Sequence, residues 1–186
     1  MYQRELPFPR GTTWSDGGGT GMTIANVEIE HLLGTEYTVK DTEHGTGVDI
    51  VLRLLKNDGD ADITFDNQLL QFDTGAKDYG RVCTVVTDTA GQPCIPIDDF
   101  YADSFVIPDN DYFYGVVRGP CNIKTEAGAI THAVVQEVIC DDSGYLYGAA
   151  ASAGQFLIGT VDQGGSTSST AVLVNVDLWM GGWRGS

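Results

Sequence analysis

Basic side chains are scarce in this chain of 186 residues: ten Lys and Arg stand against 26 Asp and Glu, a formal charge of −16. Arg4, Arg10 and Arg184 lie near the ends, which leaves seven bases against 25 acids in residues 15–183. Attraction to phosphate needs a basic footprint, so direct nucleic-acid binding is not expected. An acidic surface of this kind keeps a protein soluble. Long apolar runs are missing too. None approaches the roughly 20 residues that cross a bilayer, and the opening MYQRELPFPR has no apolar core of a secretory signal. The expectation is a soluble chain that meets no membrane and is not exported.

Metal and catalytic signatures are also lacking. The four cysteines, Cys83, Cys94, Cys121 and Cys140, form no C-x-x-C pair, and His31, His44 and His132 lie far from them in sequence. Zinc spacing is therefore absent, and buried free thiols are the expectation. No G-x-S-x-G, phosphate-cradling glycine loop or H-E-x-x-H occurs. No metal, cofactor or enzymatic activity is expected.

What is present is a globular composition, 42% apolar, with 24 glycines that imply many turns. A domain of this length buries roughly 70% of its unfolded surface and needs no staple to fold. Residues 1–27 read as an extended N-terminal arm. Pro7 and Pro9 forbid helix, Gly17-Gly18-Gly19 loosens the chain, and Leu6, Phe8 and Trp14 are anchors that a merely disordered tail lacks. Such an arm is expected to dock on a partner through these groups and through Arg4 and Arg10, and to be dispensable for the fold.

From residue 48 a two-residue period takes over. In VDIVLRLL, Val48, Ile50, Leu52 and Leu54 share one face. Strand-length segments ITFDNQLLQF, RVCTVV, DYFYGVV, THAVVQEVI, GYLYGA, GQFLIGTVD and TAVLVNVDL follow, split by Pro, Gly and Asp clusters. NVEIEHLLG, near residue 30, fits a short helix or a strand. The body, residues 28–178, is predicted all-β and antiparallel, closed as a barrel or folded as a sandwich. Residues 179–186 form a tail whose Trp179 and Trp183 cover the core or make an inter-subunit contact.

Three clusters invite chemistry. Asp73-Thr74-Gly75 ends an apolar strand as the catalytic turn of aspartic proteases does, but that chemistry needs two such turns. The nearest second, Asp88-Thr89-Ala90, has alanine where glycine is wanted. A single-turn homodimer, with Leu157-Ile158-Gly159 as the later apolar pattern, is the remaining protease route; ordinary turn chemistry explains the triplet better. Asp58, Asp60 and Asp62 alternate like calcium-loop ligands, but the required glycine and glutamate positions hold Ile63 and Leu69. His44 has Asp41 and Glu43 nearby, which would raise its pKa; a lone histidine without metal spacing is read as structural.

The succession AGQPCIPIDD, IPDNDYFYGVVRGPCNI and AAASAGQFLIGTVDQGGSTSSTAVLVNV resembles the capsid decoration, or cement, proteins of tailed bacteriophages. In them a small-residue segment leads into an apolar strand, a polar loop and a final strand. DTEHGTGVDIVLRLL and FDTGAKDYGR are similar to segments of such proteins as well. The resemblance covers residues 41–178. It implies a β-rich body without catalytic residues, made in the host cytoplasm and seated on the outer capsid surface of the virion. It implies a homotrimer whose partner is the major capsid protein. Arg4, Leu6, Phe8, Arg10 and Trp14 of the arm and Trp179 and Trp183 of the tail are then the interface candidates. Head-completion, tail and fibre proteins share the same compositional features. A carbohydrate-binding β module using Tyr145 and Tyr147 is a further alternative.

Overall fold

The computed structural model describes residues 5–15, 29–57, 61–73, 81–85, 93–125, 130–132, 137–140, 144–147, 157–161, 165–167 and 171–178. Among the described residues the elements are strands, apart from one 3₁₀ turn at Glu30–Leu32. They run β1 Glu36–Lys40, β2 Asp49–Asn57, β3 Ile63–Thr64, β4 Leu69–Phe72, β5 Val82–Val85, β6 Cys94–Pro96 and β7 Val106–Ile107. The second half adds β8 Tyr112–Lys124, β9 Ile130–His132, β10 Glu137–Cys140, β11 Leu146–Tyr147, β12 Leu157–Val161, β13 Gly165–Thr167 and β14 Ala171–Asp177. The all-β expectation holds. No helix among the described residues is long and apolar enough to cross a membrane.

Among the described residues, ten strands make one sheet in the order β11-β10-β12-β14-β8-β2-β5-β4-β6, with β1 also paired to β2. The named pairings are antiparallel except β2 with β5, which meet in parallel at Lys56–Val82 and Asn57–Cys83. The sheet curls back on its longest strand from both sides. Ile97, just past β6, bridges Gly115 of β8, and Leu146 of β11 bridges Thr125 at the other end of β8. Two small ribbons, β3 with β7 and β9 with β13, lie apart from it.

Alternation along β2 and β8 divides the interior into two cores. Ile50, Leu52 and Leu54 face one core with Tyr112, Tyr114 and Val116. Leu55 faces the other with Phe113 and Val117. A bulge opposite Val51 and Leu52 then shifts the register of β8. After it, Cys121 and Ile123 return to the first core at odd positions, as an inserted residue requires. Gly119 sits beside this bulge at φ +104°, where a Cβ would lie 2.7 Å from the Asp49 carbonyl oxygen. Only glycine fits there.

Several boundaries differ from the sequence pattern. Val48 lies outside β2 in the loop of residues 41–48 and is 48% exposed, so the shared face begins at Ile50. ITFDNQLLQF is broken into β3 and β4, because Asn67 turns the chain at φ +53°. NVEIEHLLG contributes the 3₁₀ turn, and the strand starts only at Glu36. Cys83, Cys94, Cys121 and Cys140 are buried and form no disulfide. Cys83 and Cys94 belong to different cores on the two sides of the sheet.

Candidate functional site

Residues 5–15 correct the reading of an arm waiting for a partner. Phe8 and Trp14 are buried in the chain's own first core, and Leu6 packs against it. The Phe8 ring stacks on Tyr114 at 4.5 Å, whose hydroxyl donates to the Phe8 carbonyl at 3.0 Å. Trp14 adds one antiparallel bridge to β8: its N–H donates to the Tyr112 carbonyl at 3.0 Å, and the Tyr112 N–H returns a bond at 2.8 Å. The buried Thr13 hydroxyl donates to Asp111 at 2.8 Å, and the Tyr101 hydroxyl donates to the Thr12 carbonyl at 2.9 Å. The segment is thus a strap laid across the body. Proline makes it irregular, as expected, but side chains of β8 and of the corner after β6 supply the partners that a regular strand would have offered.

Arg10 is the charged centre of this strap. Its Nε donates to Asp98 Oδ2 at 2.8 Å and its Nη2 to Asp98 Oδ1 at 2.6 Å. Nη1 reaches Glu43 at 3.0 Å, and the guanidinium lies 4.5 Å from the centre of the Phe100 ring. Asp98 has no exposed side-chain surface and Arg10 only 9%. Burial pushes the Asp98 carboxyl up from the ordinary aspartate value, while the Arg10 bonds and charge pull it down. Burial also opposes the Arg10 charge, yet Asp98 and Glu43 together hold its proton more tightly than usual. One N–H meets each carboxylate oxygen, and this fork makes the contact an ion pair.

A second polar group adjoins the first. Asp41 organises the loop that carries His44. Its Oδ1 accepts from the N–H of Glu43 at 3.1 Å and of His44 at 2.9 Å. Its Oδ2 accepts from the Thr46 N–H at 3.0 Å and hydroxyl at 2.7 Å. The buried His44 ring then lies between two carboxylates, Nδ1 at 3.0 Å from Asp41 and Nε2 at 2.8 Å from Asp99. Asp99 Oδ2 also accepts from the Asn122 N–H at 2.7 Å and side-chain amide at 2.9 Å. Burial works against a charged imidazole, but the bonds and charges of Asp99 and Asp41 outweigh it and raise the His44 pKa. For Asp41, burial is outweighed by the donated bonds of His44 and Thr46, which hold its carboxyl below the usual range.

Asp41, Glu43 and His44 offer ligand atoms within 4.8 Å of one another. Their hydrogen bonds and the Arg10 contact account for this arrangement without an ion. The Asp73 N–H donates to the Val82 carbonyl at 3.0 Å, continuing the β4–β5 pairing; Thr74, Gly75, Asp88 and Thr89 lie outside the described residues. Asp62 accepts from the Asp109 N–H at 2.9 Å, while Asp58 and Asp60 lie outside. Arg4, Trp179 and Trp183 are likewise outside the described residues.

Sequence reasoning found His44 and Arg10 but not what joins them. The signal was the Asp98-Asp99 pair directly after the apolar run CIPI, an improbable place for two carboxylates unless each is paired. At the turn after β6, Asp98 meets the strap and Asp99 meets the loop.

Fold and site together define an all-β protein whose N-terminal strap, 41–48 loop and 98–99 corner are locked by a buried charge network. No protein-family model and no curated protein matches the chain. Among solved structures it is similar to the head fibre gp8.5 N base of bacteriophage phi29, with 11% identity and a TM-score of 0.42. The match covers 68% of this chain and 95% of that one.

Proposed function

We propose that this chain is a structural protein of a tailed-phage virion, a decoration protein seated on the outer surface of the head. There it ties neighbouring major capsid protein subunits together. The observation that carries the reading is the arrangement of the segments bearing the resemblance. Its apolar strand and final strand are β12 and β14, which pair antiparallel with Gly159 opposite Val176. β14 in turn pairs with β8, which contains the YFYGVVRGPCNI stretch. A Cβ at Gly159 would lie 2.3 Å from the Asn175 carbonyl oxygen, so the glycine closing the apolar motif has a packing reason.

The strap changes which residues bind the shell under this reading. Phe8, Trp14 and Arg10 serve the body and hold its N-terminal segment. The contacts with subunits fall instead to Arg4, to the tail residues Trp179 and Trp183, and to exposed apolar groups such as Val106. The acidic body stays off packaged DNA, and a trimer covers its strand edges.

The test is cryo-electron microscopy of phage heads assembled without the chain, before and after the purified protein is added. The expected result is new density on the outer surface at local three-fold positions, with a trimer in sedimentation. Density confined to the neck, tail or a fibre assigns the chain to another virion component. Absence of binding to any particle overturns the reading.

A further inference from the structure

We propose that His44 is a pH-operated clasp: as an imidazolium it joins the 41–48 loop to the 98–99 corner, and loss of its proton releases the loop. The basis is hydrogen-bond stoichiometry. A neutral imidazole has one N–H and one lone pair. Here both ring nitrogens face carboxylate oxygens, 3.0 Å to Asp41 and 2.8 Å to Asp99, with 4% of the side chain exposed. In the neutral form one nitrogen would point its lone pair at an anionic oxygen.

The surroundings determine which contact gives way. Asp41 faces the ring from its own loop, with Glu43 beside it, and Asp99 faces it from the corner; Arg10 of the strap joins Glu43 to Asp98 at the edge of the group. β8 contributes the uncharged Asn122 and the Cys121 thiol, pushed up by burial and then by Asp99 and Asp98. β14 contributes Leu173 and Asn175, which carry no charge. The group therefore has two cations for four carboxylates while His44 is charged, and Arg10 alone once it is neutral. Asp41 keeps its bonds from Glu43, His44 and Thr46 within the loop. Asp99 keeps its two bonds from Asn122 within the body. Each carboxylate is satisfied on its own side, so the Nε2–Asp99 contact is the one that opens; Arg10 still holds Glu43 to the strap, and residues 44–48 are the part released. A groove of about 370 Å³, lined by His44, Gly45, Thr46, Val48, Pro120, Leu173 and Asn175, gives water a route to the ring. The strap stays in place, because its Asp98 fork and its Tyr112 bridge do not involve His44.

The experiment uses the full chain and two readouts. Nitrogen NMR of the His44 ring at about pH 6, below the ordinary imidazole value, is expected to show both nitrogens protonated. Amide exchange, corrected for its intrinsic pH dependence, is expected to speed up by about tenfold or more at residues 44–48 between about pH 6 and about pH 9, because their bonds to Asp41 and Thr46 face water once the loop lifts and open locally, with the Trp14 amide unchanged. In His44→Gln the loop should exchange fast at both pH values. A single ring N–H at about pH 6 overturns the proposal, as does loop exchange that does not change with pH. Parallel loosening of Trp14 and the loop overturns it as well, since that is global unfolding. The wild-type ring and exchange measurements decide the matter even if the variant fails to fold.

Discussion

Arg10 and Asp98, 88 residues apart in the chain, meet through two parallel hydrogen bonds of 2.8 and 2.6 Å in a site closed to solvent on the carboxylate side. This contact fixes an irregular N-terminal segment to the corner after β6. It also gives the strap a single register, because a planar fork accepts one partner orientation.

Removing one half of such a pair leaves the other charge buried and alone. Arg10→Ala is expected to cost about 3–5 kcal/mol in urea unfolding. Arg10→Lys should recover part of that, since an ammonium supplies charge but not the fork. A loss below about 1 kcal/mol in the alanine variant would mean that Asp98 finds water or another donor.

The strap's aromatic residues are expected to behave as core. Phe8→Ala and Trp14→Ala should each lower stability by about 3–5 kcal/mol, the range for large aromatic truncations in packed interiors. Deleting residues 1–16 should destabilise the body rather than spare it. An unchanged urea midpoint for the deletion would restore the free arm that the sequence suggested.

The pH dependence of stability has a definite sign for two groups. The His44 pKa is raised above its ordinary 6.5, so its contribution is complete below about that value and fades as pH rises through the folded-state pKa. Asp41 is lowered from 3.8, so its contribution is complete above that value and fades as pH falls through the depressed pKa. Thermal midpoints from about pH 4 to about pH 9 should therefore decline on the alkaline side, and the decline should flatten in His44→Gln. An identical profile for both proteins would remove His44 from the account.

Gly159→Ala is expected to separate β12 from β14 locally, since its Cβ would sit 2.3 Å from the Asn175 oxygen and 2.9 Å from the Val176 Cα. Neither is the movable end of a side chain, so the cost should reach about 1–3 kcal/mol or more. Circular dichroism melting checks it; a neutral substitution would show that the strands part without penalty.

Period-2 alternation in residues 48–55 and the Pro, Gly and Asp punctuation after them were enough to place most of the strands, with Val48 falling just outside β2. Those signals are local: a residue two positions on shares a face whatever the strand pairs with. The cysteine reading held for the same reason, as a small apolar group without metal spacing is buried wherever the strand carrying it goes. Strand order, the parallel β2–β5 contact and the bulge that reverses the face of β8 needed the tertiary structure, because each depends on a partner distant in the chain. The strap shows the limit most clearly. Phe8, Arg10 and Trp14 announced in the sequence that they would bind something. Whether that was another protein or the chain's own Asp98, Tyr112 and Tyr114 was decided by a groove that exists only once β8 and the corner after β6 are folded. The His44 network followed the same rule: Asp41 was three residues away and legible, whereas Asp99 was brought to the other ring nitrogen by the curl of the sheet.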